Sequence, residues 1–115
     1  MKFLCVVLVD ETLAAAMTPE DWAEMDRVSQ DYDQSLMTRG VFVAAEALYG
    51  RETARTVRVR AGDAMVTDGP FMEAKETLAG FILVDVASFD AAVEIAKGIP
   101  MARLGAVEVR QAMVF

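Results

Sequence analysis

The sequence contains no histidine and a single cysteine, Cys5. Without histidine, a Ser-His-Asp or Cys-His mechanism and any imidazole metal ligand are excluded. One cysteine excludes a disulfide within the chain, and its place in an apolar run favours a buried thiol over a reactive one. Chemistry here depends on carboxylates, Arg, Lys, Tyr or backbone groups, and we expect neither a metal nor a cofactor.

Positive charge is scarce, since 11 Lys and Arg stand against 18 Asp and Glu, a net charge of −7. This balance argues against nucleic acid and against anionic membrane surfaces as partners. No apolar run approaches the ~20 residues of a membrane helix. The apolar run at residues 3–9 is followed at once by Asp10 and Glu11, which favours a strand over a signal peptide. We expect a cytoplasmic protein.

Apolar residues are abundant, at 55% of 115 residues, although only 8% are aromatic. The length corresponds to about one domain, which we place at residues 1–115. Such a chain buries roughly two-thirds of its unfolded surface, enough for one core. The apolar excess over what a small core needs indicates a second buried surface, so we expect an oligomer.

The pattern of apolar residues predicts alternating strands and helices. Thr18, Pro19 and the following acids form a typical helix start, and Gly40 is a typical stop. Residues 53–60 alternate and, after a tight turn, form a hairpin with residues 64–67. The predicted order is a strand at 2–9, a helix from 19 toward Gly40, a strand at 41–48, the hairpin, a strand at 80–86, a helix from Ser88 to Gly98, and a strand at 106–115.

This order predicts an α+β fold of the ferredoxin-like split βαβ type, with an antiparallel sheet and both helices on one face. The strands at 2–9 and 80–86 are apolar on both faces, although helices on one side cover only one face. We therefore expect a homodimer packed through the sheet face.

The stretch DGPFMEAKE, residues 68–76, raises the question of a site. Asp68 can accept hydrogen bonds from its own turn, as Asp before Gly often does, or it can act as a carboxylate base or ligand acceptor. Gly69 allows a sharp turn or the close approach of a ligand. Phe71 is expected to anchor the loop. The charges at Glu73, Lys75 and Glu76 are a solvated cluster in one interpretation and line a pocket in the other.

These residues resemble those of the DGPF-domain proteins of the YCII-related group. The resemblance rests on Asp68 to Phe71, on Lys75-Glu76, on Gly80-Phe81 and on the ending GAVEVR at 105–110, and it extends over the whole chain. It implies a ferredoxin-like fold assembled as a dimeric α/β barrel. Some related proteins act on small cyclic compounds from aromatic breakdown, and some related domains occur beside sigma factors.

Two departures from the family pattern bear on mechanism. The wider group is associated with a His-Asp pair, whereas this chain has Asp68 but no histidine, so a His-assisted mechanism is excluded. The family ending often has proline where Gln111 stands here. Gln111 can donate a ladder hydrogen bond that proline cannot, so we expect the last strand to continue regularly.

The resulting expectation is a small-molecule-binding homodimer with a pocket near the DGPF loop, which could take a small anionic ligand. One alternative is a lyase or isomerase acting on a small cyclic anionic compound, and another is a protein-interaction or regulatory accessory module. The sequence leaves open whether the protein is an enzyme. The expected site consists of Asp68 as catalytic base, with Gly69, Pro70, Phe71, Lys75, Glu76, Arg110 and Tyr32 as ligand-binding residues.

Overall fold

The computed structural model describes residues 1–72 and 74–115, so Glu73 of the charge cluster lies outside the described residues. Within these ranges the chain forms six strands, three α-helices and two short 3-10 helices. In chain order they are β1 (Lys2–Asp10), α1 (Glu11–Ala15), α2 (Pro19–Thr38), β2 (Phe42–Ala47), a 3-10 helix (Arg51–Thr53), β3 (Arg55–Arg60), β4 (Asp63–Asp68), β5 (Glu76–Asp85), α3 (Phe89–Gly98), a 3-10 helix (Pro100–Leu104) and β6 (Gly105–Gln111).

Four strands form one antiparallel sheet in the order β2-β5-β1-β6. With α2 and α3 in the connections, this is the ferredoxin-like order, and it confirms the predicted α+β fold. Strands β3 and β4 form a separate hairpin, as the alternating pattern predicted.

Strand β1 lies at the centre of the sheet and is apolar on both faces. Phe3, Cys5 and Val7 are buried against the helices, with Leu36 and Ile95 in the same core. The alternate residues of β1 face away from the helices and are only half-buried in the single chain. Burial raises the pKa of the Cys5 thiol, in keeping with the expected unreactive cysteine.

The long helix α2 begins as its sequence predicts. The Thr18 side chain accepts from the Asp21 N–H and the Asp21 side chain accepts from the Thr18 N–H, which makes a capping box. Met25 and Leu36 are its buried side chains. After the helix, Gly40 takes a positive φ of 74°, as a helix-stop glycine does. In the described ranges no helix combines the length and apolar character needed to cross a membrane.

Tyr32 joins the two long helices through its hydroxyl, which donates to the Ile95 carbonyl at 2.6 Å. That carbonyl lies in the last turn of α3, where carbonyls have no donor within the helix. Burial raises the pKa of the Tyr32 phenol, so it stays a protonated donor. The contact fixes the distance between α2 and α3 on the shared face of the sheet.

The structure differs from the sequence prediction at several element ends. Helix α1 was not predicted; it forms because the Asp10 side chain accepts from the Thr12 and Leu13 N–H groups. Strand β5 begins at Glu76, earlier than predicted, because it pairs with the end of β1. Strand β6 ends at Gln111, opposite Phe3, earlier than predicted, and one backbone bond follows it, from the Ala112 N–H to the Lys2 carbonyl at 2.9 Å.

We expect Tyr32→Phe to reduce the free energy of unfolding by about 1 kcal/mol, because the Ile95 carbonyl loses its donor while the ring still packs. Urea unfolding measures this, and the m-value should not change. Tyr49→Phe is the matched control, since Tyr49 is 90% exposed and should change nothing. Equal stability of both variants would show that the Tyr32 bond contributes nothing.

Candidate functional site

A cavity of about 530 Å³ lies between helix α2 and the sheet. Its walls come from β1, α1, α2, β2, β5, the two 3-10 helices and the residues that follow β2. Most of the lining is apolar and includes Val7, Val9, Trp22, Ala45, Ile82 and Ile99. Small side chains such as Ala45 leave space where α2 crosses the sheet, so the cavity follows from side-chain size.

One face of α2 brings polar groups to this cavity. Trp22, Asp26, Ser29 and Asp33 all line it. Their spacing of four, three and four residues places them on one side of a helix. The neighbouring stripe, with Met25 and the ring of Tyr32, packs into the core instead. The helix therefore presents an indole ring, a hydroxyl and two carboxylates to the same space.

Ser29 and Asp33 are the two half-buried polar side chains of this face. The Ser29 Oγ is buried and finds no hydrogen-bond partner in the described part of the protein. An unsatisfied buried polar group costs about 1–3 kcal/mol. Burial raises the pKa of the Asp33 carboxyl. Both groups therefore lower the free energy of unfolding, which is typical of polar groups at functional sites.

Charged groups gather at one end of the cavity. The Thr77 hydroxyl donates to Glu11 Oε1, and the Arg51 Nε lies 3.9 Å from the same carboxylate oxygen. Arg51 Nη1 also donates to the Ala74 carbonyl at 2.6 Å. Glu11, Arg51 and Thr77 all line the cavity. This network connects the end of β1 to the segment that leads from the DGPF loop into β5.

The structure places Asp68 outside this cavity. Its side chain is 98% exposed, and its carboxylate lies 3.8 Å from the Arg55 guanidinium. Next to it, the Gly69 N–H donates to the Ala54 carbonyl at 2.7 Å, and the Thr56 hydroxyl donates to the Gly69 carbonyl at 2.9 Å. Gly69 has a φ of 95°, a conformation that favours glycine. Asp68 and Gly69 thus close the open end of the β3–β4 hairpin.

Phe71 also contacts the hairpin, since the Arg58 guanidinium lies 4.9 Å from its ring centroid. The ring is 64% exposed in the single chain. The cation–π contact is the interaction that positions it.

The remaining predicted ligand-binding residues lie in separate places. Lys75 is 3.5 Å from Asp10, and Tyr32 is bonded to α3. Arg110 is exposed on β6, and Glu76 is exposed at the start of β5. The cavity lining contains neither these four nor residues 68–71. Their ligand-binding role stays a prediction, and so does the catalytic role of Asp68.

The sequence did contain a signal for the cavity. Asp26, Ser29 and Asp33 recur at helical spacing beside an apolar stripe, on a helix that must pack against a sheet. A solvated face would give the same pattern, so only packing shows that Ser29 and Asp33 turn inward. Among residues 1–72 and 74–115, no group of three or more Cys, Asp or Glu side chains is placed to hold a metal ion.

We expect Asp33→Asn to be more stable than the parent chain at neutral pH. A carboxyl whose pKa is raised on folding stabilises the fold below its unfolded pKa, and this contribution is lost as the pH rises through the folded pKa. The advantage of the variant should therefore disappear as the pH falls below the ordinary value of 3.8. Urea unfolding over a pH series measures it. Asp31→Asn, at an exposed position of the same helix, should show no such gain.

Comparison with known proteins agrees with the fold. An uncharacterised protein of Rhizobium meliloti (strain 1021) is 32% identical over 112 residues, which cover 96% of this chain and 90% of the relative. Among solved structures, the 5-chloro-2-hydroxyhydroquinone dehydrochlorinase of Burkholderia phenoliruptrix AC1100, in complex with 2,5-dihydroxybenzoquinone, is similar with a TM-score of 0.56. That likeness covers 98% of this chain and 94% of the enzyme at 13% identity, so it concerns the fold alone.

The resemblance of the DGPF stretch is confirmed by the family comparison. The model of the YCII-related domain matches residues 1–115, the whole of the chain. Together with the Rhizobium relative, this match establishes the family: the chain is a member of the YCII-related domain family.

Proposed function

We propose that this protein binds a small molecule in the cavity between α2 and the sheet. The observation that carries the proposal is the largely apolar cavity of about 530 Å³, on whose wall the half-buried Asp33 lies. Ligand pockets commonly measure ~300–1,000 Å³ and combine apolar walls with a few convergent polar groups. A ligand N–H or O–H beside Asp33 would give this carboxyl a hydrogen-bond partner.

The charges around the cavity favour a neutral ligand. Arg51 is the cation among the described lining residues, and its Nη1 and Nε already face Ala74 and Glu11. An anion in the interior would approach carboxylates and would lose hydration without a free partner. The ligand we propose is a small neutral ring compound that donates a hydrogen bond to Asp33. The carboxylates that reach the cavity from the helix side are Glu11, Asp26 and Asp33.

Two further observations distinguish binding from a lyase or isomerase activity. The dehydrochlorinase of similar fold has a quinone in its structure, which is compatible with small-molecule binding by this architecture. The lyase or isomerase alternative needs Asp68 as a base beside the substrate. Because Asp68 is 98% exposed and lies outside the cavity lining, binding is the better-supported function.

We propose that the binding unit is a homodimer packed through the face of the sheet that points away from the helices. We name this the open face. In β1 and β5, its apolar side chains alternate with the buried ones and are half-buried in the single chain. Apolar surface of this extent gains free energy when a second copy covers it. The open face carries Leu4, Val6, Leu8, Phe81 and Leu83, with Ala44 and Glu46 along one edge and Glu108 and Arg110 along the other.

We expect Ala45→Leu to weaken ligand binding at least ~tenfold, because its extra carbons would occupy the cavity. Isothermal titration with 4-hydroxybenzyl alcohol and 4-hydroxybenzoate tests both the location of the site and the preferred charge of the ligand. Both probes are phenols, and the second has a carboxylate where the first has a hydroxymethyl group. The neutral alcohol should bind more tightly. Asp68→Asn is the control and should bind as the parent does. Loss of binding in Asp68→Asn alone would move the site to the DGPF loop.

We expect Ala44→Glu to weaken dimerisation at least ~tenfold, because it would place a carboxylate in each half of the buried open face. Sedimentation equilibrium measures the dissociation constant. Ala23→Glu is the matched control, since the same change lies at an exposed position of α2. Equal effects of the two substitutions would rule out the open face as the dimer contact.

A further inference from the structure

The β3–β4 hairpin, which we call the arm, has an uncovered apolar side. Val57 and Val66 lie opposite each other in the ladder, and Val59 lies opposite Ala64, so these four share one side. Val57, Val59 and Val66 are 60%, 57% and 62% exposed. All six residues of β4 are exposed. Valines concentrated on one side of a ribbon indicate an apolar surface that packs against another structure.

The arm has little support from its own chain. It pairs with none of the four strands of the sheet in the described structure. A single two-stranded hairpin is at best marginally stable in water, and it needs a further strand or a packing partner. The chain measures 45 × 44 × 18 Å, so it is flat and the arm does not fold back over the body. A cover from outside the chain is required.

Charge points to another copy of this chain as that cover. Strand β3 contains Arg55, Arg58 and Arg60 and β4 contains Asp63 and Asp68, so the arm carries a net charge of +1. The whole chain carries −7, which leaves −8 for the remainder. The arm is therefore attracted to the remainder of a second copy, whereas two acidic bodies without arms would repel each other more strongly.

The position of the arm also connects it with the open face. The arm is inserted between β2 and β5, which are neighbours at one edge of the sheet. These strands carry Ala44, Phe81 and Leu83 of the open face. A second copy on that face would lie next to the base of the arm. The contact with the arm would then continue the contact with the sheet.

We propose that the arm docks through Val57, Val59 and Val66 onto the second copy in the dimer, and that the DGPF motif is the clasp that holds its base. The inference rests on the proposed homodimer. Gly69 turns the chain and bonds to Ala54, while Asp68 pairs with Arg55 across the last rung. The motif thereby orients the arm and leaves its valine side free for the partner.

Two neighbouring residues of β4 allow a matched test. Val66 and Met65 are both apolar and are 62% and 55% exposed, but they point to opposite sides of the arm. Val66→Thr keeps a β-branched residue in the ribbon and removes apolar surface from the docking side. We expect it to weaken dimerisation at least ~tenfold in sedimentation equilibrium, since each dimer carries the change twice. Met65→Thr should change the dimer dissociation constant less than ~twofold. Equal effects of the two variants would overturn the proposal.

Amide hydrogen exchange at protein concentrations above and below the dissociation constant provides the second measurement. The amides of residues 55–60 and 63–68 should be protected in the dimer and should exchange freely in the monomer. Protection in the monomer would mean that the arm folds against its own body, and equal exchange in both states would mean that the arm stays free. Either result overturns the docking. If the parent chain is monomeric at every concentration, the proposed homodimer itself is refuted. This result is obtained from the parent chain alone, so it is distinguishable from a failure of the arm to dock.

Discussion

The rest of the structure depends on one constraint, the burial of β1 on both faces at the centre of the sheet. Its helix-facing side chains, such as Phe3 and Cys5, are fully buried by the chain itself. Its other side carries Leu4, Val6 and Leu8 and is only half-buried. A strand of this kind stabilises the sheet fully only when both faces are covered, because burial of apolar area drives folding and association alike. The two-helix layer and the proposed dimer therefore share one cause.

Helix α2 combines packing with the candidate site. One stripe of the helix packs into the core and a second stripe brings Ser29 and Asp33 to the cavity, so a single rigid element holds both. The Tyr32 hydroxyl on the packing stripe ties α2 to α3 at Ile95. Polar groups on a helix fixed in this way keep their positions without a ligand, which is the property that a binding site needs. The Ser29 hydroxyl on this helix is buried without a hydrogen-bond partner in the described part of the protein.

The DGPF stretch shows why a specific motif can be recognised before its structural task is understood. Its sequence identified the family correctly, and the match covers residues 1–115. Its position at the base of the arm depends on which strands pair, and the Gly69 and Thr56 contacts follow from that pairing. Phe71 was expected to anchor the loop, and it lies exposed beside Arg58. The interpretation as a turn agrees with these contacts, while the ligand-binding interpretation concerns residues that lie apart from the cavity.

Local and periodic features were determined by the sequence itself. The capping residues determine where α2 and α3 begin. The continuous apolar runs determine β1 and β5, and the alternating residues from Arg55 to Arg60 determine the first strand of the arm. These features need only near neighbours in the chain, so they can be predicted from spacing and residue type. The cavity was decided by the tertiary structure alone. Its walls come from elements that are distant in sequence. Its volume depends on small side chains such as Ala45 that meet the polar face of α2, and only the packing of helix on sheet brings them together.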